Sequence, residues 1–273
     1  MPRQEEKPTK DVPPADPEEF TKRNISELKA ALKGLDGIAP PELIRPAVPF
    51  GAPATNELVS WAVKVYSYSV VCQFRELLRA TLLLVGTDHI SAVFPCCRGL
   101  FELAAHTYYV KKHVLQHFKN NDLNSAWQLL FDVNLGSREM REQQKAEGIE
   151  PDYPEGPHIA KVMACFNEYF PDGQKEKEAT RAYSSLSEFS HPNCFAFINH
   201  FEWEEDLRDM PKVVFGKPSR NLLTLCLPAA AMAIMSFLVA VSNLASAASD
   251  EELAATANRV VGEVLEVANE AAG

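Results

Sequence analysis

Asn221 to Ser249 is a run of 29 residues without a single charge. Between Leu222 and Val241 its only hydroxyl side chains are Thr224 and Ser236. A stretch this long and apolar either spans a bilayer or lies at the centre of a fold that encloses it. Eight of the 29 residues are alanine, and alanine lets neighbouring helices approach closely. The next segment, 250–271, is amphipathic, with Leu253, Ala257, Val260, Val261 and Val264 on one stripe and Val267 or Ala268 extending it. A membrane span over 221–249 would leave that stripe with nothing to cover. The expectation is therefore a buried core helix. The alternative is a membrane anchor, oriented by Lys217 and Arg220 before it and Asp250, Glu251 and Glu252 after it.

A core helix needs partners, and the chain offers them. Residues 56–85 contain no Gly or Pro and are apolar on more than one side. Gly86-Thr87-Asp88 marks a turn, with Asp88 a candidate cap, and 89–118 reads as a second long helix. Pro95 either kinks it or moves its start to about Phe94. Further helices are expected over Asp122–Lys145, Ile159–Phe170 and 175–191, the last stopped by Pro192, then over 219–247 and 250–271, with Ser249 and Glu252 as a capping box. Residues 195–216 lose the helical period and read as an irregular or hairpin insert. Ten of the 19 prolines fall in residues 1–53. That segment reads as a Pro-rich arm, disordered over 1–16, with one helix over about 17–35 carrying Phe20, Ile25, Leu28 and Leu32. The fold class is all-α: an arm over 1–53, then a bundle of about six or seven helices over 54–273. Helices 56–85, 89–118, 175–191 and 219–247 are expected to be the most buried.

Composition narrows function only by exclusion. With 46% apolar and 23% charged residues over 273 positions, the chain is globular. Its net charge of −10 does not favour nucleic acid as a partner, although it leaves room for a local basic cleft. The six cysteines form no Cys-x2-Cys pair, and no apolar leader follows Met1. Reduced thiols in a cytoplasmic protein are the expectation. Phosphate-cradling glycine loops are absent, and no cofactor is expected.

One polar constellation stands out. Helix 89–118 carries Arg98, Glu102, His106, Tyr109, His113 and His117 within an arc of about 100°. Arg98 and Glu102 can pair at i, i+4. Helix 175–191 carries Tyr183, Ser187 and His191 on one face, with His191 in the last turn, where the helix dipole favours the protonated ring. Buried polar groups need partners, so the two lines are expected to face each other, with Arg98 and Glu102 reaching Ser187 or His191. Arg98, Glu102, Tyr183, Ser187 and His191 are the candidate catalytic or binding residues. Arg98 could hold a phosphate or carboxylate and His191 could move a proton. The same groups would equally serve as a register-setting network. His113-x3-His117 has the spacing of two metal ligands on one helix face, but no third ligand or nearby Glu completes it, and solvated histidines are expected. Ser187, mid-helix, lacks the elbow of a hydrolase nucleophile.

Arg98-x3-Glu102, with Tyr183-x3-Ser187-x3-His191 in a later helix, resembles a group of bacterial all-helical domains of unknown function. That group is distantly similar to the HEPN superfamily (higher eukaryotes and prokaryotes nucleotide-binding). The resemblance covers about residues 56–250 and implies an Arg/Glu helix facing a Ser/His helix. It also implies a metal-independent ribonuclease, toxin or defence component, often dimeric. The closely spaced Arg…His cleavage motif is missing: seven residues separate Arg98 from His106, and nine separate Arg181 from His191. The expected function is an interaction or structural domain with an unknown protein partner or a second copy of itself. A HEPN-like ribonuclease or nucleotide-binding protein is the alternative, and a membrane-anchored protein the second.

Overall fold

The computed structural model describes residues 16–49, 52–87, 89–136, 138–150, 154, 156–170, 178–191, 201–203, 213–215 and 220–270. The expected disorder of 1–15, the Asp88 cap and Cys194 lie outside the described residues. Asp16, assigned to the same disordered stretch, is instead the first residue of an ordered helix start. Its carboxylate accepts from the Glu18 amide at 2.9 Å, and Pro17 occupies the first turn of α1 (Pro17–Asp36), where its missing N–H costs nothing.

The chain is all-α. After α1 come α2 (Asn56–Gly86), α3 (Ile90–Lys119), α4 (Leu123–Leu135), α5 (Arg138–Ala146), α6 (Ile159–Asn167), α7 (Glu178–Ser190), α8 (Leu223–Ala247) and α9 (Glu251–Glu270). A 3-10 turn, Arg220–Leu222, leads into α8. In the insert, β1 (Phe201–Trp203) pairs antiparallel with β2 (Val213–Phe215), Phe201 opposite Phe215.

Three expectations need correction. Asp122–Lys145 is two helices, because the backbone at Gly136 is extended and Gly156 approaches it closely. A Cβ on Gly136 would lie 2.8 Å from the Gly156 nitrogen. Ser249 does not cap α9. It sits at φ 55°, and Asp250 takes the role instead, its Oδ1 accepting from the Leu253 amide at 3.1 Å. Helix α7 is not among the most buried. Only Ala179 and Leu186 are buried in it, because its polar residues take up much of its surface. Pro95 lies inside α3, which begins before it at Ile90.

The centre of the bundle is α8, packed against α1, α2, α3, α7 and α9. Fifteen of its residues are buried, among them Ala230, Ala233, Ile234, Phe237 and Leu238, all fully so. Phe237 stacks on Phe74 of α2 with ring centroids 4.0 Å apart and planes 7° from parallel. Helix α1 is integral to the packing: Leu28, Ala31 and Leu35 are fully buried, and the helix lies on α8 and α9. At Gly34 the contact with α9 is so close that a Cβ would fall 2.3 Å from Val260 Cγ2. Helix α3 is the second hub, touching α2, α4, α6, α7 and α8.

The described residues between α1 and α2, 37–49 and 52–55, are held to the bundle at three points. Arg75 Nη1 donates to the Ile38 carbonyl (3.1 Å), Trp61 Nε1 to the Leu43 carbonyl (3.3 Å), and the Ala54 amide to Asn124 Oδ1 (2.8 Å).

Candidate functional site

Helices α3 and α7 meet through one apolar pair and one polar cluster. Phe94 stacks on Phe189 at 4.7 Å. One turn along α3, Arg98 makes three bonds. Its Nε donates to Glu102 Oε1 at 2.8 Å along its own helix. Its Nη2 donates to the Tyr183 hydroxyl at 3.0 Å, and its Nη1 lies 2.8 Å from His191 Nε2. The guanidinium carbon also lies 5.3 Å from the Tyr183 ring centroid. The side chains of Arg98 and Glu102 keep 22% and 33% of their surface exposed, so the cluster sits at the edge of the bundle rather than inside it. Burial works against the charge of Arg98, but Glu102 and Tyr183 outweigh it and hold the group above its ordinary pKa.

A guanidinium has donors and no acceptor, so His191 Nε2 must present its lone pair to Arg98 and carry its ring N–H on Nδ1.

Of the five candidates, Arg98, Glu102, Tyr183 and His191 form one connected network. Ser187 does not join it. Its Oγ is buried and has no hydrogen-bond partner among the described residues. Only the Ser187 carbonyl is engaged, accepting from the His191 amide at 3.2 Å. Among the described residues, three of the five Arg98 donors are committed, which leaves two for an oxyanion.

The other histidines of α3 are half-buried rather than solvated. Burial lowers the pKa of His106, with Glu102 opposing it. For His113 burial leads, and Lys112, Lys161 and His117 add to the lowering. Its ring lies 4.4 Å from that of Tyr109. His117 Nδ1 is 3.6 Å from Asp122 Oδ2. Among the described residues no group of three His, Cys, Asp or Glu side chains converges to hold a metal.

Sequence reasoning missed a second site. An open pocket of about 280 Å³ lies between α2 and α4, lined by Trp61, Val65, Trp127, Phe131 and Asn134, with Arg45 from the segment between α1 and α2 at its edge. A neighbouring cavity of about 790 Å³ runs under residues 46–49 and shares Arg45 and Trp127. The available signal was that Trp61 and Trp127 are two of only three tryptophans.

Fold and cluster together define an all-α bundle with a polar interhelical clasp. No family model, no curated protein and no solved structure matches this chain.

Proposed function

We propose that the chain is a helical interaction domain, without chemistry at the α3–α7 contact, and that the Arg98 cluster is an architectural clasp fixing the register of α7 on α3. The single observation that carries this is the Arg98 guanidinium bonded at once to Glu102, Tyr183 and His191. A directional bond pattern across two helices specifies one packing out of several that apolar contact alone would allow. The partner is a protein or a second copy of the chain. Consistent with a cytoplasmic setting, α8 spends its apolar surface on neighbouring helices. Among the described residues it is the one helix long and apolar enough to cross a membrane, and 56% of its most apolar window is buried. Taking it into a bilayer would strip cover from α1, α2, α3 and α9.

One observation favours a second reading, the HEPN-like ribonuclease or nucleotide-binding protein. Arg98 and His191 are adjacent across two helices, and among the described residues two guanidinium donors remain for a phosphate. The two readings part on paired variants. For the clasp, Arg98→Ala and His191→Ala both lower the melting temperature, and neither wild type nor variant cleaves RNA. For the nuclease, His191→Ala abolishes cleavage of a single-stranded RNA while the melting temperature stays within about a degree or two.

A further inference from the structure

From the pocket between α2 and α4 we infer a binding site for a small, flat heteroaromatic monocarboxylate. The pocket supplies each part of that description. Its walls are aromatic and aliphatic: Trp61 and Val65 on α2, Trp127 and Phe131 on α4. Indole and phenyl faces of this kind stack on a flat ring. No acidic residue lines the pocket or its neighbour, and Arg45 is the one cation lining both. Among the described residues Arg45 makes no ion pair or hydrogen bond. Its guanidinium rests over the Trp61 ring at 6.0 Å from the centroid, the outer limit of a useful cation–π contact. A carboxylate offers that fork a bidentate partner, which the ring does not. Asn134 supplies a polar contact of known sense. Its Nδ2 donates to the Leu130 carbonyl at 2.8 Å, which among the described residues leaves its Oδ1 as an acceptor for a ring N–H.

Two further features fit a small ligand rather than a protein surface. A volume of about 280 Å³ is at the small end for ligand pockets. The edge that carries Arg45 is also fixed in place: Trp61 Nε1 holds the Leu43 carbonyl, two residues before Arg45, and Asn124 holds Ala54 beyond it. The binding groups are thus positioned before any ligand arrives, which lowers the entropic cost of binding.

Calorimetric titration of the full chain tests this with indole-3-acetate, benzoate and the uncharged indole-3-acetamide as probes. Saturable binding of indole-3-acetate is expected, weaker by at least about tenfold for the acetamide because the carboxylate–guanidinium pair is lost. Arg45→Gln brings indole-3-acetate down to the acetamide level without changing the melting temperature, since Arg45 is exposed. Phe131→Ala, 37% exposed and safe for folding, weakens both probes alike. The inference is overturned if neither acid binds saturably below about 10 mM, or if Arg45→Gln leaves the affinity for indole-3-acetate intact. It is also overturned if a peptide ending in a free tryptophan carboxylate binds and the free acids do not, which would make this a partner-docking groove.

Discussion

Helices α7 and α8 both lie against α3, and they are held by opposite means. Helix α8 is uncharged, rich in alanine and buried along its length, stacked through Phe237 on Phe74. Helix α7 buries two residues, and its contact with α3 includes one stacked phenylalanine pair and the bonds of a single arginine. The α8 contact is broad and non-directional, so its strength comes from area. The α7 contact is narrow and directional, so its strength comes from geometry and is concentrated in few atoms. Damage to the first should loosen the whole bundle, whereas damage to the second should free one helix.

The largest effect belongs to the apolar side. Phe237→Ala removes a fully buried ring and should cost about 3–5 kcal/mol in urea unfolding, with hydrogen-exchange protection falling throughout α2, α3 and α8. A loss below about 1 kcal/mol would mean that α8 is not the shared core. Overpacking the same side comes next. Gly34→Ala drives a methyl group into Val260 and should cost about 1–3 kcal/mol. Combining it with Val260→Ala should recover part of that loss, and a failure of such rescue would place the strain elsewhere.

The polar side should respond less and more locally. Arg98→Ala strands the Glu102 carboxylate and the His191 lone pair in a half-exposed setting, at a cost of about 1–2 kcal/mol. Exchange should quicken in α7 while α8 keeps its protection. Arg98→Lys should recover little, because an ammonium cannot serve three partners from one plane. Equal loosening of α7 and α8 in either variant would erase the contrast drawn between them.

The smallest effect is on pH. His106 and His113 both have pKa values lowered by burial, so the unfolded chain binds more protons just below pH 6.5. Their contribution is fully present above that pH and is lost as pH falls through it toward the folded-state values. Stability should fall slightly between pH 7.5 and 5.5, by less than in any of the variants above. The double variant His106→Gln/His113→Gln should flatten that slope in urea titrations at the two pH values.

Much of this was legible before any coordinates. The uncharged run to Ser249 announced a central helix because no other segment could match its apolarity. The stripe Phe20, Ile25, Leu28 and Leu32 announced α1 from about residue 17, but its cap, Asp16, read as part of the disordered stretch. Arg98 with Glu102, and Tyr183 with His191, were legible as two lines in need of partners. What stayed hidden depends on contacts between distant residues. The break at Gly136 comes from the approach of Gly156, which no local period encodes. Ser187 follows the spacing of its neighbours, yet its hydroxyl misses the network, and helical spacing says nothing of that. Arg45, Trp61 and Trp127 belong to three separate segments, so no motif joins them.

The pairing of α1 with α9 has a consequence for how the protein is made. The two helices are separated by nearly the whole described chain, yet the buried stripe of α1, Leu28, Ala31 and Leu35, rests partly on α9. Contacts of such long sequence separation carry a large loop-closure cost and form late. As the chain leaves the ribosome, α1 emerges before α2 to α9 with its apolar side uncovered and must wait until α9 has been translated. Through that interval its apolar stripe is open to non-native contacts, and completion of this bundle waits for α9.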